Sequence, residues 1–138
     1  MLRFVIQSAR RPRLASRCRF LESGSSHDKG SSIRLIYAQA TIRHLLQRGQ
    51  PLHLIEIGAW CGFSALAWAE SIWRYGSAKQ ARDSSILCID PWISYFVQKD
   101  IQRNSHYQVM EEAAQNGEAF EVFLHNMQLA REVFKVKI

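Results

Sequence analysis

Two glycines at a four-residue spacing form the part of this sequence best suited to chemistry. Gly58 and Gly62 follow an apolar run at residues 52–57 and precede a stretch with helical spacing. Glycine at such positions lets the backbone turn sharply and approach a bound nucleoside, because a Cβ would clash or oppose positive φ. Asp90 follows a second apolar run and could accept hydrogen bonds from both hydroxyls of a ribose held over the first turn. Together these features indicate a ligand that contains adenosine.

The residues around these positions resemble the first two motifs of the class I S-adenosylmethionine-dependent methyltransferases. The motifs read Glu56-x-Gly58-x-x-x-Gly62-x-Ser64 and Cys88-Ile89-Asp90-Pro91-Trp92. The similarity is to the small-molecule O-methyltransferases related to macrocin-type and cephalosporin-hydroxylase-like proteins, and it covers roughly residues 27–138. Two further segments show a weaker similarity to the same family: Asp28-Lys29-Gly30 and Phe120-x-x-Phe123-x-x-Asn126-Met127. One departure is Trp60, which stands where the commoner family pattern has its central glycine.

This resemblance implies the class of fold and the activity. The expected fold is α/β, a partial Rossmann-like methyltransferase fold with a parallel βαβ sheet and flanking helices. The implied cofactor is S-adenosylmethionine, and the implied reaction is methyl transfer to an oxygen of a small-molecule acceptor. Gly58 and Gly62 would pass beneath the methionine portion and the ribose of the cofactor, and Asp90 would bind the ribose.

For each of three further site residues, the sequence leaves two possible roles open. Glu56 either holds the turn by accepting backbone amide hydrogen bonds or, as in related enzymes, lies near the amino group of the cofactor. Ser64 either caps the following helix or contacts the cofactor carboxylate. Trp92 either packs beside the adenine or closes the core beneath the loop.

No catalytic base and no metal site can be assigned from the sequence. The five histidines are scattered without the spacing of metal ligands, and each is better explained as a surface or core residue. The three cysteines also lack metal-type spacing. Because the sulfonium is already activated, methyl transfer depends more on alignment than on acid-base chemistry.

Hydrophobic periodicity predicts the elements that position the site. A helix is expected from Ser31 or Ser32 to about Gln47, and another from near Ser64 to about Tyr75. Strands are expected at residues 52–57 and 85–89, and the first of them should be covered by helices on both faces. Residues 76–84 should be a polar loop, residues 93–106 irregular, and residues 107–115 and 120–127 helical. A third strand is expected at residues 134–138.

Length and charge divide the chain into a leader and one domain. The full seven-stranded family fold needs more than 138 residues, so residues 27–138 are expected to be its N-terminal, cofactor-binding part. The first 20 residues carry six arginines and no acid, whereas the rest of the chain has 12 basic and 12 acidic residues. A neutral domain argues against nucleic-acid binding, and no apolar run is long enough to span a membrane.

The leader, residues 1–26, leaves the location open. If it is a basic disordered segment, the protein is expected in the cytoplasm. If it is a transit peptide, the protein is expected in mitochondria or plastids.

The sequence also leaves two alternative functions open. One is a nicotinamide-binding Rossmann domain, which Trp60 disfavours because the dinucleotide motif needs glycine there. The other is a non-catalytic fragment that acts by association, including formation of a homo-oligomer through an unpaired sheet edge.

Overall fold

A computed structural model describes residues 27–97, 99, 102 and 105–138. For residues 27–32, 105 and 106 it describes the backbone alone. The predicted leader, residues 1–26, lies outside the described residues. The elements in chain order are α1 (His27–Leu46), β1 (His53–Ile57), α2 (Phe63–Tyr75), α3 (Ala78–Asp83), β2 (Ser85–Ile89), α4 (Ser105–Gln115) and α5 (Glu118–Phe134).

The centre of the fold is the unit β1, α2, β2. The two strands pair in parallel, with His53 opposite Ser85 and Ile57 opposite Ile89. Helix α2 connects them and buries a face that includes Ala65, Ala69 and Ile72, each 0% exposed. The described chain is therefore α/β with a two-stranded parallel sheet, as the alternation of apolar strand and helical patterns predicts.

The helices cover one face of this sheet. Helix α1 packs against α2, while α5 packs against both α2 and α4. Side chains from α1, α2 and β2 meet in a buried core cluster with Ile42, Ile72, Ile86 and Val136 among its members. Because residues in a strand alternate between the faces, the same core contacts only every second residue of each strand.

The opposite face is bare, so the prediction that β1 is covered on both faces is wrong for the described chain. Four aliphatic side chains form this bare face: Ile55, Ile57, Leu87 and Ile89, which are 69%, 83%, 58% and 48% exposed. The reason is that the described helices that pack together all lie on the other side of the sheet.

Several predicted boundaries need correction. Helix α1 begins at His27, before the predicted start at Ser31 or Ser32, so Asp28, Lys29 and Gly30 belong to the helix. The predicted loop at residues 76–84 contains the helix α3. This helix starts with a capping box, in which the Gln80 amide donates to the Ser77 hydroxyl (3.2 Å) and the Ser77 amide donates to the Gln80 side chain (3.0 Å).

The predicted third strand is reduced to a single bridge. Helix α5 continues to Phe134, and Lys135 ends it in a left-handed conformation. Lys137 then bridges to Ser85 in parallel, and its carbonyl accepts the Ile86 amide at 2.8 Å. Lys137 therefore occupies part of the outer edge of β2, and β1 is the strand whose outer edge has no strand partner among the described residues.

Candidate ligand-binding site at the strand ends

The turn that follows β1 is held against the end of β2. Gly58, Trp60 and Gly62 all have positive φ, at 82°, 47° and 84°. The Gly58 amide donates to the Ile89 carbonyl at 2.9 Å, which extends the sheet pairing into the turn. The turn and the residue after β2 therefore lie side by side, as the sequence predicts from the shared carboxyl ends of parallel strands.

Asp90 binds the backbone of both loops. Its Oδ2 accepts the Trp60 amide at 2.9 Å, and its Oδ1 accepts the Trp92 amide at 2.8 Å. Trp60 and Trp92 both have a φ of 47°, a left-handed conformation that is unfavourable for a bulky residue. The carboxylate therefore stabilises two unfavourable backbone conformations. Since a carboxylate has about four acceptor positions, roughly two remain for hydroxyl donors.

Trp92 lies beneath the turn. Its indole Nε1 donates to the Trp60 carbonyl at 2.9 Å. Its ring centroid lies 4.9 Å from that of Phe120 and 4.8 Å from that of Phe123, both on α5. These contacts agree with the interpretation in which Trp92 closes the core. A contact with adenine stays a prediction.

Helix α5 supports the turn from below. Asn126 is 1% exposed, and its amide nitrogen donates to the Cys61 carbonyl at 2.7 Å. Phe123 and Met127 pack beneath Gly62. The segment of weaker family similarity at residues 120–127 therefore contacts and supports the glycine turn. A polar residue in the middle of an apolar helical stripe is the sequence signal for Asn126.

The two glycines have different surroundings. A Cβ at Gly62 would lie 2.5 Å from the Met127 methyl carbon and 3.2 Å from the Phe123 ring, so both side chains would have to shift to admit it. A Cβ at Gly58 would meet no atom within 4 Å. Gly58 therefore faces open space that a ligand can enter, whereas Gly62 faces the core.

Glu56 and Ser64 form a pair beside Gly58. The Ser64 hydroxyl donates to Glu56 Oε1 and does not cap the helix, and a contact of Ser64 with a cofactor carboxylate stays a prediction. The helix cap is Gly62, because Ser64 already lies inside α2. The second oxygen of Glu56, Oε2, is buried and has no hydrogen-bond partner. The prediction that Glu56 accepts backbone amides is wrong, since Asp90 performs that role at the turn.

Burial raises the pKa of Glu56, and the hydrogen bond from Ser64 opposes this shift in part. A buried carboxylate oxygen with no partner is electrostatically unfavourable when ionised. A cationic ligand group beside Oε2 would relieve this cost and would lower the pKa of Glu56 again.

A cavity of about 580 Å³ opens next to this pair, between α1 and the free edge of β1. Glu56, Gly58 and Ser64 line one part of it. Apolar residues line another part: Ala38, Ile42, Leu45, Leu54, Ala67 and Trp68. Arg34 on α1 also lines the cavity. No feature of the sequence singled out this residue, because its position depends on how α1 packs against α2.

The loop after Asp90 is fixed by a second carboxylate. Glu111 on α4 is 7% exposed and accepts hydrogen bonds from the Ser94 hydroxyl and the Gln115 amide. These bonds, the Ser94 bond above all, lower the pKa of Glu111 despite its desolvation. Tyr95 in the same loop meets the Trp60 ring edge to face at 6.5 Å. The aromatic side chains of the two loops therefore lie together above the Asp90 contact.

The structure brings the six predicted site residues to one end of the sheet, in two groups. Glu56, Gly58 and Ser64 border the cavity, whereas Gly62 and Trp92 pack on α5. Asp90 connects the two groups through the turn. The described residues contain no cluster of side chains that could hold a metal ion. None of the described helices has the length and hydropathy needed to cross a membrane.

Comparison of the chain with models of protein families, with curated proteins and with solved structures finds no match.

We expect the two glycines to respond differently to alanine. Gly58→Ala should lower the free energy of unfolding by about 1–2 kcal/mol, the cost of a left-handed alanine. Gly62→Ala should cost about 1–3 kcal/mol more, because its Cβ also overpacks against Met127 and Phe123. Urea denaturation of both variants measures the difference. Equal losses would show that Gly62 is not constrained by α5.

We expect Glu56→Gln to change how stability depends on pH. Because the folded-state pKa of Glu56 is raised, its contribution is most favourable at acidic pH and is lost as pH rises through that pKa. The unfolding free energy of the wild type should therefore fall relative to Glu56→Gln between acidic and neutral pH. Denaturation at a series of pH values measures this, and a gap that widens in the opposite direction would contradict the assignment.

Proposed function

We propose that this chain is the cofactor-binding part of a partial Rossmann-like methyltransferase domain and binds S-adenosylmethionine. The proposed reaction is methyl transfer to an oxygen of a small molecule, and the choice of acceptor follows from the resemblance of the two motifs. The observation that carries the proposal is the Asp90 contact with the glycine turn. It supports a single nucleoside site, because the carboxylate and the open side of Gly58 belong to one rigid group of residues.

Three features of the described residues fit this cofactor. Asp90 retains acceptor capacity for the ribose hydroxyls after it has accepted two backbone amides. Gly58 leaves space where a side chain would stand. Glu56 offers a buried oxygen with no partner, suited to an ammonium group. When bound, S-adenosylmethionine supplies an activated methyl group, so these residues need only bind and orient it.

A nicotinamide dinucleotide fits these residues less well. In that class of site the backbone approaches a pyrophosphate at the second glycine of the motif, where this chain has Trp60. The Trp60 amide, which would be needed there, already donates to Asp90. We therefore favour a ligand with one nucleoside and no pyrophosphate.

Calorimetric titration with S-adenosylhomocysteine tests the proposal. We expect saturable binding, and ligand at 100 times its dissociation constant should raise the unfolding free energy by about 2.7 kcal/mol. Asp90→Asn should weaken binding by about tenfold or more, since hydrogen bonds to charged groups contribute about 1.5–3 kcal/mol. Asp83→Asn on α3 is the matched control and should bind like the wild type.

The proposal would be wrong if a folded wild-type sample bound NADH but not S-adenosylhomocysteine. It would also be wrong if Asp90→Asn and Asp83→Asn bound the nucleoside equally well. Circular dichroism and thermal unfolding must show that each variant is folded, because Asp90→Asn also weakens the contact between the two loops.

A second candidate function is association with another copy of this chain. The observation that favours it is the bare sheet face, together with the free edge of β1. Parallel sheets are normally covered on both faces, so a second copy that packs on this surface would remove its aliphatic side chains from water.

Light scattering after size-exclusion chromatography tests this association. We expect the wild type to form dimers and Leu87→Lys to remain monomeric, because a lysine in the bare face would have to be desolvated in the contact. Ile36→Lys on α1 is a matched control, since Ile36 is 65% exposed and lies outside the bare face. A wild type that stays monomeric at all concentrations would rule out the second candidate.

A further inference from the structure

A second cavity, of about 610 Å³, opens at the other end of the sheet. Lys137 lines it, and the backbone of Lys137 bridges to Ser85, the first residue of β2. Asp90 follows the last residue of β2, which places it about 16 Å further along the strand. The two cavities share no lining residue. The second cavity is therefore separate from the proposed nucleoside site.

Positive charge is concentrated around this second cavity. Residues 21–138 contain 12 basic and 12 acidic side chains, so the domain as a whole is neutral. Four of the basic side chains line the cavity, whereas no acidic side chain of the described residues does. We call it the basic cavity, after its four cations: Arg82, Arg131, Lys135 and Lys137.

The backbone that carries the two lysines is fixed at several points. Lys135 ends α5 in a left-handed conformation, with a φ of 60°. Val136 is 1% exposed and belongs to the core cluster that contains Ile86. The Lys137 carbonyl accepts the Ile86 amide at 2.8 Å. Lys135 and Lys137 are exposed on either side of the buried valine, so both project from a backbone that is held against the core.

The four cations keep most of their binding capacity. Neither lysine forms an ion pair with another described residue. Arg131 donates to the Ile138 carbonyl from Nε, at 2.8 Å, and from Nη2, which uses two of the five N–H donors of the guanidinium. Arg82 contacts the Asp83 carboxylate at a Nε to Oδ1 distance of 3.7 Å. Because like charges around one cavity repel each other, an anion that binds between them would be stabilised.

We infer that the basic cavity binds a small organic molecule that carries phosphate, as a phosphate ester or a diphosphate. A phosphate group accepts hydrogen bonds in several directions, which suits cations that come from α3, from α5 and from the segment after α5. The volume lies within the range of about 300–1,000 Å³ that is usual for small-molecule sites. Ala78 and Ile138 also line the cavity and offer an apolar surface to the organic part of the ligand.

Calorimetric titration of the full chain with inorganic pyrophosphate tests the inference. We expect saturable binding to the wild type, and this binding should weaken as salt is added because the charges are exposed. The double variant Lys135→Gln/Lys137→Gln should bind about 10- to 100-fold more weakly, since each exposed charge contributes about 3- to 10-fold. The free energy of unfolding should change little, because the contacts that fix this segment come from its backbone and from Val136.

The double variant Arg43→Gln/Arg48→Gln is the matched control. It removes the same charge from two exposed arginines that line neither cavity, and it should bind pyrophosphate like the wild type. Equal weakening in both double variants would show that the overall charge attracts the anion, and this result would overturn the inference. A lysine double variant that bound like the wild type would overturn it too, as would a wild type that did not bind pyrophosphate at low salt.

A second titration compares phenyl phosphate with inorganic phosphate. We expect phenyl phosphate to bind more tightly to the wild type, because its ring can lie against Ala78 and Ile138. Equal affinities would contradict an organic ligand. Tighter binding of pyrophosphate than of phenyl phosphate would support a diphosphate, and the reverse order would support a phosphate ester.

Discussion

The carboxylate of Asp90 is the constraint on which the rest of the site depends. It accepts the amide of Trp60 from one loop and the amide of Trp92 from the other, at 2.9 and 2.8 Å. Both tryptophans have a left-handed backbone, which costs about 1–2 kcal/mol for each residue. Hydrogen bonds to a charged group contribute about 1.5–3 kcal/mol each, and less where solvent reaches them, so the carboxylate can offset both costs. Asp90 is thus one side chain that stabilises both loops at once.

The surrounding residues restrict the same turn from two sides. Helix α5 holds it from below, through the Asn126 hydrogen bond to the Cys61 carbonyl and the packing of Met127 beneath Gly62. The opposite side remains open at Gly58 and continues into the cavity. The turn is therefore rigid where it meets the core and accessible where it meets the cavity. This arrangement suits a site that binds and orients a ligand and performs little acid-base chemistry.

The sequence predicts the parts of this arrangement that depend on short-range patterns. The parallel strands and a helix that begins near Ser64 follow from apolar runs and glycine spacing. The sequence also predicts that the turn and Asp90 meet, since the ends of neighbouring parallel strands share an edge. The sequence does not predict the hydrogen bond from Ser64 to Glu56, which replaces the backbone-amide role of Glu56 and the capping role of Ser64, because the partner of a polar side chain depends on distances that spacing does not give. The polar composition of residues 76–84 predicts a loop, yet the segment holds helix α3, whose Ser-x-x-Gln capping box is visible in the sequence.

The features that escape prediction arise from tertiary packing. Arg34 lines the cavity only because of the way α1 packs against α2, and the bare face exists only because the described helices share one side of the sheet. The most direct measurement of the central claim is a crystal structure of the chain with S-adenosylhomocysteine. The account predicts that the ribose lies against Asp90 and Gly58, with the amino group of the ligand beside Glu56. A nucleoside bound elsewhere, for example on the bare face, would contradict it.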